Sequence, residues 1–126
     1  NTTAIHALSY PLGSEFHIAH GLSNAVLLPY VMEYNLPVAE DRYAKVASLF
    51  GFGDEFPTAQ KASLSIQAVR DLIRHCGLPA RLSEIDIRED AIPRLAEAAM
   101  KVQRLLVNNP REVKLAVAID IYQKAY

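Results

Sequence analysis

A chain of 126 residues with a nearly balanced charge excludes several classes of protein. Its 13 basic and 14 acidic residues include no basic run interleaved with aromatic side chains, which argues against a nucleic-acid partner. The longest uncharged apolar run, from Ala25 to Met32, is interrupted by Pro29 and is shorter than the roughly 20 residues that cross a bilayer, so we expect no membrane segment.

The first half of the chain predicts three helices. The first contains His6 and is expected to end at Pro11 and Gly13, because proline disfavours a helical conformation before it and glycine is a poor helix former. The second spans residues 20–35, and Pro37 is expected to break the chain after it. The third has an apolar face at helical spacing, and Gly51 is its expected stop; the face consists of Tyr43, Val46, Ala47 and Phe50.

The second half predicts further helices. The longest spans residues 58–76 and carries Lys61 on its polar face. Another begins near Asp90 and runs to the Asn-Asn-Pro stop at 108–110, and a last helix follows Arg111. Because every long apolar pattern has the period of a helix and none has the length of a convincing strand, the sequence predicts an all-α fold of about six helices.

The single cysteine, Cys76, has no partner for an internal disulfide. It falls on the apolar side of a helical pattern, which predicts a buried thiol that behaves as a small hydrophobic residue. A chain without disulfides fits a reducing compartment, and we expect a cytoplasmic protein. The chain also begins inside a helical pattern, which predicts that it is a fragment of a longer protein.

Candidate metal-binding side chains are concentrated between residues 6 and 24, a segment that contains three of the four histidines. His6 and His20 stand on either side of a predicted turn, so a helix–loop–helix can bring the two imidazoles together. Neutral imidazole is the commonest nitrogen ligand of divalent iron or zinc, and the pair predicts half of a metal site. Two other interpretations stay open: His17 and His20 can share a helix face at i and i+3, or each histidine is an ordinary core or surface residue.

Asn24 lies one helical turn after His20. A metal-bound imidazole usually donates its second N–H to an oxygen that fixes the ring, and Asn24 is the candidate for that partner. An ordinary capping or interhelical hydrogen bond is the alternative for the same side chain.

Several segments of the sequence resemble the histidine signature of one enzyme family. They are His-Ala-Leu-Ser-Tyr-Pro-Leu-Gly (6–13), Ala-His-Gly-Leu-Ser-Asn-Ala (19–25), Gly-Leu-Pro (77–79), Glu-Asp-Ala-Ile-Pro (89–93), Asn-Asn-Pro-Arg (108–111) and the closing Ile-Tyr-Gln-Lys-Ala-Tyr (121–126). The sequence is similar to the iron-containing (group III) alcohol dehydrogenases, and the resemblance covers essentially the whole chain.

This resemblance implies a domain arrangement. Members of the family have an N-terminal nucleotide-binding α/β domain and a C-terminal all-helical domain, as in dehydroquinate synthase-like proteins, with the metal between them. Residues 1–126 look like the later part of the helical metal-binding domain, so the N-terminal domain and the first part of the helical domain lie outside this chain. His6 and His20 match the two later metal ligands, whereas the family's upstream Asp and His have no counterpart here.

The resemblance also implies a reaction. The complete enzyme would interconvert a small alcohol and an aldehyde or ketone by hydride transfer with NAD(P), on Fe²⁺ or Zn²⁺, as a homo-oligomer. The fragment alone, with two ligands and no nucleotide-binding domain, is expected to be inactive. The alternatives are a maleylacetate-reductase-like or hydroxyacid–oxoacid transhydrogenase activity on the same scaffold, or a non-catalytic helical interaction module.

Tyr10 falls where many members of the family have a further histidine near the nicotinamide ring. It follows His6 by four residues and shares its helical face, so we expect it on the substrate or cofactor side of the site. A phenol can donate a hydrogen bond there but is a poor proton acceptor at neutral pH. The alternative is an aromatic side chain that packs under the loop at residues 11–13.

Overall fold

The computed structural model describes residues 2–126, which form six α-helices and two short 3₁₀ turns. No strand occurs within that range, which confirms the predicted all-α fold. The helices are α1 (Ala4–Phe16), α2 (His20–Leu49), α3 (Thr58–His75), α4 (Ile92–Met100), α5 (Gln103–Leu106) and α6 (Leu115–Ala125), and the 3₁₀ turns are Leu82–Ile85 and Glu89–Ala91. None of the helices in this described part is long and apolar enough to cross a bilayer.

The first helix, α1, continues past Pro11 and Gly13, so the expected end at these residues is wrong. A proline inside a helix removes one N–H donor and costs one backbone hydrogen bond. Pro11 is buried, and the neighbouring Leu8 and Leu12 are fully buried in the main core. The apolar burial of this face offsets the lost hydrogen bond, and the helix is retained.

The second helix, α2, is a single element of 30 residues that contains both Pro29 and Pro37. The expected break at Pro37 is therefore wrong, and the predicted second and third helices are one. Packing continues on both sides of that proline: Leu36 contacts a small core shared with α3, and the buried residues farther along are Ala39, Ala44 and Ala47. The chain leaves the helix before Gly51, as predicted, and Gly51 has a φ of 93° that favours glycine.

The helix predicted from Asp90 onward is divided in two. Val102, with φ −93° and ψ 50°, lies outside the helical region and separates α4 from α5. Its side chain packs against the main core. Because β-branched residues have a slightly lowered helix propensity, a valine that leaves the helix loses little conformational free energy. The segment therefore turns at Val102.

Two burial predictions around α3 are wrong. Cys76 is exposed, because the buried stripe of α3 ends at Ile73 and the chain turns away before Cys76 can join it. Lys61, expected on the polar face, is buried, while its ammonium group lies 3.1 Å from a carboxylate oxygen of the exposed Asp54. Long lysine side chains can bury their stems in this way while the charge stays near water.

The main core lies between α1, α2, α4 and α6. Tyr122 of α6 is fully buried, and its hydroxyl donates to the carbonyl oxygen of Leu8 in α1 at 2.5 Å. Burial raises the pKa of Tyr122 well above its usual range. Reciprocal amide hydrogen bonds of 3.0 and 2.8 Å join Asn35 of α2 to Asn109. These contacts hold α1 and α2 against the C-terminal segments and so position residues 6–24.

Candidate metal centre

A three-residue link turns the chain from α1 back into α2. His17 ends α1 with a left-handed φ of 57°, and its backbone N–H donates to the carbonyl oxygen of Gly13 at 3.1 Å. The N–H of Ile18 donates to the carbonyl oxygen of Leu12 at 3.3 Å. Such paired bonds close the C-terminus of a helix and reverse the chain. As a result, α2 begins at His20 beside the first turns of α1.

The turn places the imidazole rings of His6 and His20 side by side, with centroids 5.7 Å apart and ring planes inclined by 41°. The ring centroid of Tyr10 lies 5.9 Å from that of His20. His6 is partly buried, whereas His20 is exposed and Tyr10 is 37% exposed. The structure therefore brings three of the residues selected from the sequence to one place, and that place is open on one side.

The side chain of His6 contacts the backbone at the N-terminus of its own helix, α1. The backbone N–H of Thr3 faces Nδ1 of His6 at 3.5 Å, in the arrangement of a capping box. Burial, and secondly the charge of His20, lower the pKa of His6 below its usual range, and the neutral ring is the form that binds a metal. Thr3 was missed in the sequence, although a threonine three residues before His6 is the spacing of a capping box.

Asn24 contacts His20, one turn earlier on α2, through its amide nitrogen rather than through the oxygen expected to accept an imidazole N–H. Its Nδ2 lies 3.0 Å from Nε2 of His20, whereas its buried Oδ1 has no hydrogen-bond partner among residues 2–126. A buried polar atom without a partner costs about 1–3 kcal/mol. The site therefore favours an additional donor beside Asn24.

His17 does not join this group. It is exposed in the turn between α1 and α2, so His17 and His20 share no helix face and the i, i+3 interpretation is wrong. Within residues 2–126, no three His, Cys, Asp or Glu side chains are placed to hold a metal ion. The chain thus presents a pair of imidazoles, and a complete metal site needs further ligands.

A cavity of about 420 Å³ adjoins His20 and Tyr10. We call it the apolar pocket, and it is lined by Ser9, Tyr10, Pro11, Gly13, Ser14, Ile18, His20, Ala98 and Val102. None of these residues is Asp, Glu, Lys or Arg. The sequence did not single out Ala98 or Val102, because no local signal distinguishes them from other apolar residues of a helix.

A comparison with known families decides what kind of protein carries this site. The sequence profile described as "Fe-containing alcohol dehydrogenase family, C-terminal" matches residues 1–126. The chain belongs to this family. The match confirms the resemblance drawn from the histidine signature. The roles of His6, His20, Tyr10 and Asn24 stay predictions.

Relatives within the iron-containing alcohol dehydrogenase family agree with this assignment. Lactaldehyde reductase of Escherichia coli K12 is 33% identical over 123 residues, which cover 97% of this chain and 32% of the relative. Long-chain-alcohol dehydrogenase 1 of Geobacillus thermodenitrificans is 37% identical over 123 residues, covering 97% of this chain and 31% of that protein. A solved alcohol dehydrogenase from Oenococcus oeni matches with a TM-score of 0.93 and 33% identity, over 100% of this chain and 33% of its own. The chain thus spans about a third of the length of the curated relatives it matches.

Proposed function

We propose that this chain is the C-terminal part of the helical metal-binding domain of an NAD(P)-dependent alcohol dehydrogenase. The observation that carries the proposal is the pairing of His6 and His20, whose ring centroids lie 5.7 Å apart. Relatives named as a lactaldehyde reductase and a long-chain-alcohol dehydrogenase support an exchange between an alcohol and a carbonyl compound. An N-terminal nucleotide-binding domain and the rest of the helical domain are assigned to parts of the protein outside this chain.

The residues present suit Fe²⁺ or Zn²⁺. His6 and His20 supply two nitrogen donors, and the pKa of His6 is lowered by burial, which favours its metal-binding form. Nδ2 of Asn24 faces Nε2 of His20, and an amide turned by 180° would instead offer Oδ1 to the N–H that a metal-bound imidazole retains there. A catalytic site uses at least three protein ligands, so an Asp and a His from outside this chain would complete it. These donors do not select one of the two metals.

In the complete enzyme, a metal held by His6 and His20 would supply Lewis acidity at the alcohol hydroxyl, and NAD(P) would supply the hydride acceptor. The residues of this chain orient these groups. Asn24 fixes the ring of His20, because the two side chains are in contact on one face of α2. Tyr10, beside His20, donates a hydrogen bond to the substrate or to the ribose of the cofactor and does not accept the proton of the alcohol.

We infer that the enzyme is a cytoplasmic homo-oligomer with a small alcohol or aldehyde as its substrate. The exposed thiol of Cys76, which has no disulfide partner, suits a reducing compartment. Large apolar side chains are exposed near the far ends of α2 and α3, where Leu49 is 88% exposed and Phe50 and Leu72 lie open as well. Exposed apolar surface of this kind favours association between subunits.

The test is the metal content and NAD(P)-linked alcohol turnover of the full-length protein carrying His6→Ala or His20→Ala. Each change is expected to remove stoichiometric metal and turnover together, because each removes a ligand. His75→Ala is the matched control, since His75 is an exposed histidine at the end of α3, away from the pair. It should keep both properties.

Two results would contradict this function. If His6→Ala and His20→Ala both kept full metal and turnover, the chain would be better described as a non-catalytic helical interaction module. If the metal-dependent protein acted on maleylacetate, or on a hydroxyacid and oxoacid pair, and ignored simple alcohols, one of the alternative activities on the same scaffold would replace the alcohol dehydrogenase.

A further inference from the structure

A second cavity, of about 390 Å³, opens between α2, α3 and the segment that follows α3. Its floor is buried and largely apolar, whereas its rim is basic and partly open to water. We call it the arginine cleft; its floor includes Val26, Tyr30 and Ile73, and its rim includes Arg70, Arg74 and Arg81. Within the described part of the chain, no Asp or Glu lines it.

The arginine cleft is separate from the candidate metal centre. None of the residues of that centre lines it. Tyr30 follows His20 by ten residues on α2, which places it about 15 Å farther along the helix axis. The proposed function therefore gives this cavity no role.

The guanidinium group of Arg70 is held over the floor of the cleft. Its Nη2 donates to Oε1 of Glu33 at 2.7 Å, and its central carbon lies 4.7 Å from the ring centroid of Tyr30. The hydroxyl of Tyr30 donates in turn to the carbonyl oxygen of Ala80 at 3.1 Å. Because a guanidinium has several N–H donors, the bond to Glu33 leaves others free for a ligand. A side chain that is already ordered also loses less freedom on binding.

The charges around the cleft leave an excess of one cation. Arg70 is paired with Glu33 and Arg74 with Asp71, whereas Arg81 forms no ion pair within residues 2–126. The cleft is therefore matched in charge to a monoanion. The planar fork of an arginine fits a carboxylate through two parallel hydrogen bonds.

We propose that the arginine cleft binds a small organic carboxylate. The carboxylate lies at the free donors of Arg70 and Arg81, and the apolar body of the ligand packs on Tyr30 and Ile73. A cavity of about 390 Å³ is of the size of small-molecule sites, which range from about 300 to 1,000 Å³. The proposal does not depend on the alcohol reaction, because no residue of the candidate metal centre takes part in it.

The experiment titrates the full-length protein with benzoate and follows saturation-transfer NMR signals of the ligand. Benzamide, which has the same shape without the charge, should bind at least about tenfold more weakly. Acetate, which lacks the apolar body, should also bind at least about tenfold more weakly than benzoate. Because the rim is open to water, raising the salt from about 0.1 to about 1 M should weaken benzoate binding.

Substitutions at Arg81 test the rim. Arg81→Ala should weaken benzoate binding about tenfold, and Arg81→Lys, which keeps the charge without the planar fork, should lie in between. Arg81 is exposed and has no ion pair among residues 2–126, so its removal is expected to leave the fold intact. Arg104→Ala, at an exposed arginine of α5, is the matched control and should bind benzoate as the unmodified protein does.

A second pair of variants adds a negative charge to α3 at two places. Gln67 lines the arginine cleft, whereas Gln60 is an exposed residue of the same helix that does not line it. Gln67→Glu should weaken benzoate binding, because the new carboxylate repels the ligand and competes for the arginines. Gln60→Glu should leave the binding nearly unchanged, and equal effects of the two would overturn the location of the site.

A metal at the histidine pair also offers a carboxylate a place to bind, so the titration is repeated with His20→Ala. Benzoate binding should be kept in that variant. Loss of binding in His20→Ala together with unchanged binding in Arg81→Ala would place benzoate at the metal and overturn the proposal. Equal affinities for benzoate and benzamide, or no saturable benzoate binding by the unmodified protein, would also overturn it. Neither result bears on the proposed function, which the metal content of His6→Ala and His20→Ala tests.

Discussion

The side-chain nitrogen Nδ2 of Asn24 lies 3.0 Å from Nε2 of His20, one turn earlier on α2. Because the two residues are neighbours on one helix face, the contact needs no other element and forms with α2 itself. The second polar atom of the same amide, Oδ1, is buried without a hydrogen-bond partner among residues 2–126. Asn24 is therefore in contact with His20 through its amide nitrogen, while its amide oxygen has no partner within the described residues.

We predict that Asn24→Ala weakens metal binding by the full-length protein about 10- to 100-fold, the usual effect of removing a residue that orients a ligand. Competition against a chelator measures this affinity. Asn24→Asp, which keeps an oxygen acceptor at the same position, should lie closer to the unmodified protein. Equal affinities in all three proteins would reduce the role of Asn24 to an ordinary hydrogen bond within α2.

Tyr10→Phe should cost at most about 1.5 kcal/mol in transition-state stabilisation, the net scale of one neutral hydrogen bond. The reason is that a phenol beside His20 can position a substrate but is a poor base at neutral pH. Steady-state kinetics of the full-length protein, with metal content measured in parallel, checks this value. A loss of several orders of magnitude in kcat with metal still bound would make Tyr10 a catalytic group.

The isolated chain is expected to bind Fe²⁺ or Zn²⁺ weakly and to turn over no alcohol. Residues 2–126 place no three potential ligands together, whereas a catalytic site uses at least three. Calorimetric titration of the 126-residue chain with Zn²⁺, beside the full-length protein, measures the difference. Tight stoichiometric binding by the chain alone, or NAD(P) reduction by it, would show that the site lies elsewhere.

Tyr122→Phe should lower the free energy of unfolding of the chain by about 1–3 kcal/mol, because it removes a buried hydrogen bond to the carbonyl oxygen of Leu8. Urea denaturation followed by far-UV circular dichroism measures the change. Tyr126→Phe, a few residues later and only partly buried, is the matched control and should change stability by less. Equal effects of the two substitutions would contradict the importance of the tie between α1 and α6.

The pairing of His6 and His20 could be predicted from the sequence because it depends on local features. Two helical segments joined by a short link fix the distance between residues near their starts, and the signals for that link lie within a few positions. The contact between Asn24 and His20 is equally local, since it follows from helical spacing alone. The sequence also predicts that the second helix begins at His20, and α2 begins at that residue in the structure.

The helix boundaries set by proline could not be predicted, because they depend on distant packing. Pro11 stays helical since its face is covered by the main core, and α2 continues through Pro37 because residues on either side of it pack against the rest of the protein. The apolar pocket could not be predicted from the sequence for the same reason. Its walls at Ala98 and Val102 come from a segment far along the chain from Tyr10.

The hydrogen bond from Tyr122 to Leu8 joins residues that are 114 positions apart, so it also sets an order of events during synthesis. On the ribosome, α1 emerges long before α6 exists. With 13 residues, α1 is near the lower limit of about 12–15 residues at which isolated helices become marginally stable in water. The main core that covers α1 is therefore completed only after α6 has been translated. A nascent chain stalled before α6 lacks this tie between the two ends of the chain.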